Sequence, residues 1–546
     1  MEAPALNRRR TTVGVVLVAL VALALRLFAL GSRVFHWDEG RVGYWILQYA
    51  ETGEWTYRAV LHGPFLFHVN EATFGFFGPT NFVARFVVAA VGAALPLAAL
   101  LYRDRLGRVE TLALAAILAI NPVVLYYSRF MRNDVLVAAF AFVAVGFFVR
   151  LIDTGRARHL YAGVGSLALA FTTKEVVLVY LAVWVGALGL LLDHRLLATR
   201  FRDVGWRETV RGYANLGSRR LVRWWPHLAI AVVEFVAVIT LFYAPRPDLY
   251  RVVGDPATIP AVIQAATVGA WKEMWGMWVA GGHEHSYVDF FVTDVKRLGA
   301  TSLPLVAFGV GGFVVDRYAQ RRPRDLISFG FYWAAAVFFV YPAITDISAP
   351  WGLVHVVVPL ALPAAAGVQV LVDRGADALA ANDTVSLVLV AVVLVAASLQ
   401  AGLVAYETSY ADPQTDANPL VQYGQPAGHL HPTLADVGRI AATNEGTDVL
   451  FYGNHFYVPD DADRTGGKWT NRLPLPWYLA RSNATVDSTI SPPRVTGRAP
   501  VVIALAEDYS EIEGRLEGYE ARTYELTSVN TETVFFIDRT ALNASA

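Results

Sequence analysis

The chain has 546 residues, of which 55% are apolar, 12% aromatic and 17% charged, and its formal net charge is −1. That balance excludes an ordinary water-soluble domain of this length and makes a polytopic membrane protein the expected class. No cysteine is present, so disulfides, thiolate metal sites and thiol nucleophiles are excluded, and any chemistry must come from Asp, Glu, His, Arg, Lys, Tyr or a bound metal.

A bilayer core takes roughly 20 apolar residues per helix, and about eleven such runs follow one another along the chain. They cover 12–30, 81–102, 109–127, 133–150, 160–173, 175–192, 226–243, 301–316, 327–343, 351–372 and 385–405. The junctions are alternately basic. Arg8, Arg9 and Arg10 precede the first run, Arg103, Arg105 and Arg108 follow the second, and Arg150, Arg156 and Arg158 follow the fourth; eight arginines lie between Asp193 and Trp225, and Arg317, Arg321, Arg322 and Arg324 follow the eighth run. Short basic loops stay in the cytoplasm. The N-terminus is therefore expected inside, with segments 31–80, 128–132 and 244–300 outside together with everything after Tyr406. The first run has no small-residue cleavage site and is expected to stay as an anchor.

After Tyr406 the pattern becomes that of a soluble domain. Short β-branched and aromatic runs at 448–453, 499–507 and 533–539 alternate with polar or helical stretches such as 433–446, which predicts a small α/β domain. From Glu407 onward there are 19 Asp and Glu against 10 Lys and Arg, so this tail is acidic. The expected organisation is a membrane domain over 1–405 with external loops 31–80 and 244–300, followed by an extracytoplasmic domain over 406–546. There is no internal repeat and no nucleic-acid-binding signature.

The polar clusters that carry chemistry all fall on the external side. The first is His36, Trp37, Asp38, Glu39 and Arg41, with Tyr44 and Trp45 close behind. Carboxylates near the interface are tolerated far better than at the bilayer centre, so position alone fits a solvated loop start; the company of so many site-type side chains points to a functional loop. Next, His62-Gly63-Pro64 forms a sharp turn leading into a helix with His68 and Glu71 on one face. Arg129, Arg132 and Asp134 then interrupt a hairpin. They form either an orienting ion-pair cluster or a set in which an arginine holds a phosphate and Asp134 a metal or an acceptor group. Lys174 and Glu175 follow in the same layer, the lysine either functional or merely paired to Glu175 or snorkelling. His283 and His285 face the same way only on a strand, where they could hold a metal without being specific for one; with Glu284 between them they read as a polar loop. Asp346, Trp351 and His355 open the tenth run.

These motifs together resemble the GT-C superfamily of integral membrane glycosyltransferases, which includes protein O-mannosyltransferases and aminoarabinose lipid A transferases. The resemblance rests on "HWDEG", "HGPF", the "ARF" containing Arg85, "SRFMRND", "TTKE" and "APWGLVHVVVPL", and covers almost the full length. Within the superfamily the chain is most similar to the archaeal flippase activity-associated family, whose tail motif matches "RLPLPWYLAR" at 472–481. Two segments depart from that family's pattern: "TDISAPW" has no lysine, and "GGHEHSY" stands where a Trp- and Gln-rich segment is expected.

The resemblance implies a mostly α, multi-pass plasma-membrane enzyme that takes a sugar from a polyprenyl (dolichyl) phosphate donor in the bilayer. The sugar goes, with inversion, to a protein or lipid-linked glycan acceptor outside. Asp38, with Glu39 beside it, is the implied catalytic base. His62, Arg129 and Lys174 are implied to hold the lipid phosphate, and His36, Arg41, Arg132, Trp351 and His355 are further candidates for substrate binding. Arginine and lysine, or a divalent cation such as Mg2+ or Mn2+ on Glu39 and Asp134, would balance the departing phosphate. A noncatalytic or flippase-associated component of lipid-linked glycan assembly is the alternative.

Overall fold

The computed structural model describes residues 2–199, 206–278, 285–319, 323–345, 347–459, 464, 466–527 and 531–545. Among them, eight helices are long and apolar enough to cross a membrane: Arg8–Leu27, Asn81–Tyr102, Asp134–Thr154, Val222–Tyr243, Tyr287–Ala319, Asp325–Ile344, Pro350–Ala380 and Thr384–Ala411. The chain is a multi-pass membrane protein. Of the three remaining apolar runs, two form helices of 15 residues or fewer, and the third opens a longer helix whose apolar part is Val177–Leu192. The run at 109–127 is divided because Pro122 has no amide hydrogen to donate, and the Asn121 side chain accepts from the amides of Val123 and Val124 to start a new helix, Pro122–Tyr127. The fifth and sixth runs become Ala157–Phe171 and Val177–Thr199, and the turn between them carries Lys174 and Glu175.

The chain divides into two compact units. The first comprises Met1–Phe28, Trp55–Leu66 and Val88–Ala411. Of the eight apolar helices the most enclosed is Pro350–Ala380, whereas Thr384–Ala411 keeps its apolar side chains on the surface, as a lipid-facing helix does. Segment 244–300 contributes the short helices Asp248–Arg251, Ile259–Gln264 and Ala270–Trp278, with Trp271 and Trp275 exposed as in an interfacial element.

The second unit comprises Ala29–Glu54, Phe67–Val87 and Asp412–Ala546. Its sheet has five strands, β1 (Val449–Tyr452), β2 (Val486–Thr489), β3 (Val501–Leu505), β4 (Tyr519–Glu525) and β5 (Glu532–Asp538), in the order β2-β1-β3-β5-β4. The first three are parallel, and β5 runs antiparallel to both β3 and β4. Leu450, Val502, Ala504, Val534 and Phe536 fill a core on one face with Ile512 and Leu516. Phe451, Ile503 and Phe535 are buried on the other face. Burial of both faces explains the unbroken apolar runs of the central strands.

Candidate functional site

In the first unit, three separate sequence motifs meet at Asp134. This residue opens the helix Asp134–Thr154, where a carboxylate is favoured by the helix dipole, and it is buried. Lys174 Nζ lies 2.6 Å from its Oδ1 and Arg132 Nε 3.2 Å from its Oδ2. His355 Nε2 lies 3.3 Å from the same Oδ1, and His355 Nδ1 lies 2.5 Å from the Tyr180 hydroxyl. A tyrosine donating to Nδ1 leaves the proton on Nε2, which then donates to Asp134, so both imidazole nitrogens are satisfied in the neutral ring. The Arg132 guanidinium stacks on Trp351 at 3.9 Å, and Lys174 Nζ lies 6.0 Å from the same ring. Arginine and lysine, the side chains best suited to hold a phosphate, thus stand together at one buried carboxylate. Lys174 is thus paired to Asp134 rather than to its neighbour Glu175.

Glu175 turns to the His62 loop instead. Its Oε2 lies 3.2 Å from His62 Nδ1, and its Oε1 accepts from the Tyr57 hydroxyl at 2.8 Å. Burial opposes ionisation of Glu175, but the hydrogen bonds and charge of His62 outweigh it and hold the carboxyl below its usual range. The His62 ring stacks on Trp278 with centroids 5.5 Å apart. The loop is fixed by its backbone: the Gly63 and Phe65 amides donate to the carbonyls of Thr173 and Thr172 at 3.0 and 2.9 Å. A methyl group on Gly63 would stand 2.3 Å from the Thr172 oxygen, so only glycine allows this approach.

Arg129 has a different task from Arg132, three residues on. Its Nη1 donates to the carbonyls of Leu25, Arg26 and Phe28 at 3.1, 3.1 and 2.6 Å, which closes the C-terminal end of the first helix. Its guanidinium also stacks on Tyr410 at 4.5 Å. One of the two terminal nitrogens of Arg129, expected as a phosphate ligand, is thus engaged in capping the first helix.

In the second unit, the acidic pair separates by direction. His36 is the N-cap of the helix Trp37–Thr52: its Nδ1 accepts from the Asp38 amide at 3.0 Å, and Glu39 Oε2 accepts from the His36 amide at 3.0 Å. Adjacent helical positions diverge by about 100°. Glu39 therefore points inward, where Arg85 grips it with Nε at 2.7 Å and Nη2 at 2.6 Å, neither side chain having measurable exposure. Arg85 also donates to the carbonyls of Leu30 and Arg33 at 3.1 and 2.9 Å and stacks on Phe35 at 4.9 Å. Burial pushes the Glu39 carboxyl up, but Arg85 and Arg33 overcome this and bring it down to about 2. Asp38 keeps 28% of its side chain exposed. Arg41 stacks on Trp37 at 5.3 Å, and burial lowers its guanidinium against the pull of Asp38. Of the two carboxylates, Asp38 is the one a ligand can reach.

The tail motif holds this loop in place. Phe35 stacks on Trp477 with centroids 4.8 Å apart, and the Phe35 amide donates to the Tyr478 hydroxyl at 2.8 Å. Asn81 bridges the same two residues, accepting from Trp477 Nε1 at 3.0 Å and donating to the Tyr478 hydroxyl at 3.1 Å. Gly40 and Gly43 face Pro474 and Trp477 so closely that a methyl at either would come within 2.5 and 2.7 Å of them.

Neither carboxylate suits the divalent cation expected on Glu39 and Asp134. Both Glu39 oxygens are held by Arg85, and both Asp134 oxygens are held by Lys174, His355 and Arg132. Among the described residues no three His, Asp or Glu side chains converge to bind a metal. His283, Glu284 and Asp346 lie outside the described residues, and His285 Nε2 contacts the Pro342 carbonyl at 2.7 Å.

Comparison with solved structures decides the fold. ArnT from Cupriavidus metallidurans aligns over 97% of this chain and 98% of its own, at 15% identity and a TM-score of 0.58. The chain has the GT-C glycosyltransferase fold. The same protein bound to undecaprenyl phosphate aligns with a TM-score of 0.58 at 17% identity, over 97% of this chain and 98% of that one. The Archaeoglobus fulgidus oligosaccharyltransferase aligns with 0.53 at 13% identity, covering 94% of this chain and 73% of that one. The dolichyl-phosphate-mannose-protein mannosyltransferase family model matches residues 61–205 of this chain, and that of the Agl23 flippase-associated protein C-terminal domain matches 430–538. No curated protein matches in sequence.

The structure brings together Arg132, Asp134, Lys174, Trp351 and His355 in one unit, and His36, Asp38, Glu39 and Arg41 in the other. Sequence reading did not assign Tyr180, which orients His355, nor give Arg85 a role beyond a motif letter. Tyr180 lies in a uniformly apolar run and has no local signal. Arg85, a lone arginine inside an apolar helix, does have one, since such a residue needs a partner.

Proposed function

We propose that the chain is a membrane glycosyltransferase that moves a sugar from a polyprenyl phosphate carrier to an acceptor hydroxyl on the extracytoplasmic side. The observation that carries this reading is the buried Arg132-Lys174-Asp134-His355 cluster, in which an arginine and a lysine, the side chains that bind phosphate, stand side by side. The GT-C fold and the matched mannosyltransferase model support the reaction class. The ArnT structure with undecaprenyl phosphate supports the carrier. The acceptor oxygen would attack the anomeric carbon and give up its proton; the bond to the phosphate oxygen breaks on the opposite face, and the electron pair leaves with the lipid phosphate; by its motif, Asp38 is the candidate base. Arg132 and Lys174 offset the charge that this places on the leaving group. Trp351 backs the arginine.

The test uses the full chain in lipid nanodiscs with polyprenyl phosphate carrying mannose or glucose. Lys174→Ala should weaken carrier binding, while Asp38→Asn should leave binding intact and remove release of lipid phosphate. A second reading, a noncatalytic flippase-associated component, is favoured by the match of the tail to the Agl23 model and by the withdrawal of Glu39 into an ion pair. Carrier binding with no turnover by the unaltered chain would support that reading and refute the first.

A further inference from the structure

Asparagine followed two residues later by serine or threonine, with no proline between, is the pattern that accepts an N-linked glycan. It occurs three times: Asn382-Asp383-Thr384, Asn483-Ala484-Thr485 and Asn543-Ala544-Ser545. Such tripeptides are common by chance, and their surroundings decide which can be used. All three asparagines are exposed. The helix Thr384–Ala411 separates the first from the tail, so Asn382 lies on the opposite side of the bilayer from the other two. Asn543 lies within the helix Arg539–Ala544, where side chains two residues apart diverge by about 200°. The Ser545 hydroxyl is also taken, donating to the Leu542 carbonyl at 3.0 Å.

Asn483 stands differently. It follows the helix Leu475–Arg481 with a left-handed backbone, φ +53°, and the Ala484 amide donates back to the Leu479 carbonyl at 2.9 Å, the closure expected past a helix end. That cap uses main-chain atoms alone. The Asn483 side chain and the exposed Thr485 hydroxyl have no hydrogen bond among the described residues. The Thr485 backbone is nevertheless fixed: its amide donates to Asp448 Oδ2 at 2.7 Å, and its carbonyl accepts from the Asp448 amide at 2.9 Å. Val486, also exposed, then opens β2 at the edge of the sheet. We propose that Asn483 accepts an N-linked glycan from a separate transferase of the cell, while Asn382 and Asn543 stay bare. This rests on the extracytoplasmic placement of the tail in the function proposed above. The Asn483 amide nitrogen bonds to the anomeric carbon of a glycan carried on a polyprenyl phosphate or pyrophosphate. The bond from that carbon to the phosphate oxygen breaks, its electron pair leaves with the lipid, and the amide gives one proton to the transferase.

The test expresses the full chain in cells that place N-linked glycans on their surface proteins and reads each asparagine by glycopeptide mass spectrometry. A second form of the chain carries a flexible Gly-Ser-Asn-Ala-Thr extension after Ala546, which reports the side on which the tail lies. The glycan mass should appear on the Asn483 peptide and on the extension, and be absent at Asn382 and Asn543. It should vanish in Asn483→Gln and in Thr485→Ala, persist in Asn543→Gln, and return in part in Thr485→Ser. Thr485→Ala keeps the asparagine at its left-handed position and serves if Asn483→Gln does not fold. A bare Asn483 beside a glycosylated extension overturns the inference and leaves the placement of the tail standing. Equal occupancy of Asn543 and Asn483 overturns it too, because the helical backbone would then be no barrier. A glycan on Asn382 with a bare tail and extension puts the tail in the cytoplasm. That result, or a chain bare at every site including the extension, removes the extracytoplasmic placement from the proposed function, and the inference falls with it.

Discussion

Glu39→Gln tests the division of labour between the two adjacent carboxylates. The substitution removes the charge that faces a guanidinium with no exposure, leaving Arg85 to its carbonyl partners and Phe35. Loss of one member of a buried pair is worth about 3–5 kcal/mol. A second estimate comes from the carboxyl itself: its fall from 4.5 to about 2 corresponds to about 3 kcal/mol. The surviving bonds of Arg85 favour the lower figure, so an apparent melting temperature in detergent should drop by about 6–12 °C for a unit of this size. Because the folded-state value is depressed, the contribution is complete above about 4.5 and disappears as pH falls toward 2. The gap between the two proteins should therefore narrow on acidification below pH 4. Asp38→Asn, at a partly exposed position, should lower the melting temperature less than Glu39→Gln, since solvent screens its interactions with Arg41 and His36. The reasoning is refuted if Glu39→Gln melts normally, if the gap is independent of pH, or if Asp38→Asn is the less stable of the two.

Arg129→Met should lower the melting temperature by a few degrees, as expected for loss of a helix cap worth about 1–2 kcal/mol, while the folded fraction binds polyprenyl phosphate normally; weakened binding per folded molecule would contradict the capping role. Asp134→Ala leaves Arg132 and Lys174 without their carboxylate and should destabilise the fold by about 3 kcal/mol or more, read by thermal unfolding, with substantial recovery in the Asp134→Ala, Lys174→Met double variant. Gly63→Ala should reduce the yield of folded protein, measured by fluorescent size-exclusion, because its methyl would meet the Thr172 carbonyl at 2.3 Å. Normal yield would show that the His62 loop is free to move away from that carbonyl.

The apolar runs made the membrane helices legible, because mean hydropathy over twenty residues needs no tertiary information. Direction was harder to read. Arg129 and Arg132 lie in the same short junction, and nothing local says that one meets the end of the first helix while the other meets Trp351. Lys174 and Glu175 are neighbours in sequence, yet their partners, Asp134 and His62, lie 40 and 113 residues away. The Asp38 and Glu39 split was partly readable once the helix was taken to begin at Trp37, since consecutive side chains cannot share a face. In the tail, the central strands announced themselves through unbroken apolar runs. Strands β2 and β4 did not, because "VDST" and "YEARTYE" lie at the sheet edges with many polar side chains on the surface.

The contact of Gly40 and Gly43 with Pro474 and Trp477 ties two stretches of chain more than 400 residues apart into one heritable module. Neither can drift alone: a bulkier tail helix has nowhere to go without matching change beneath it, and a side chain at either glycine evicts the helix. A chimera that borrows residues 412–546 from a distant homologue must borrow residues 29–54 as well, and the acidic loop then travels with its own support.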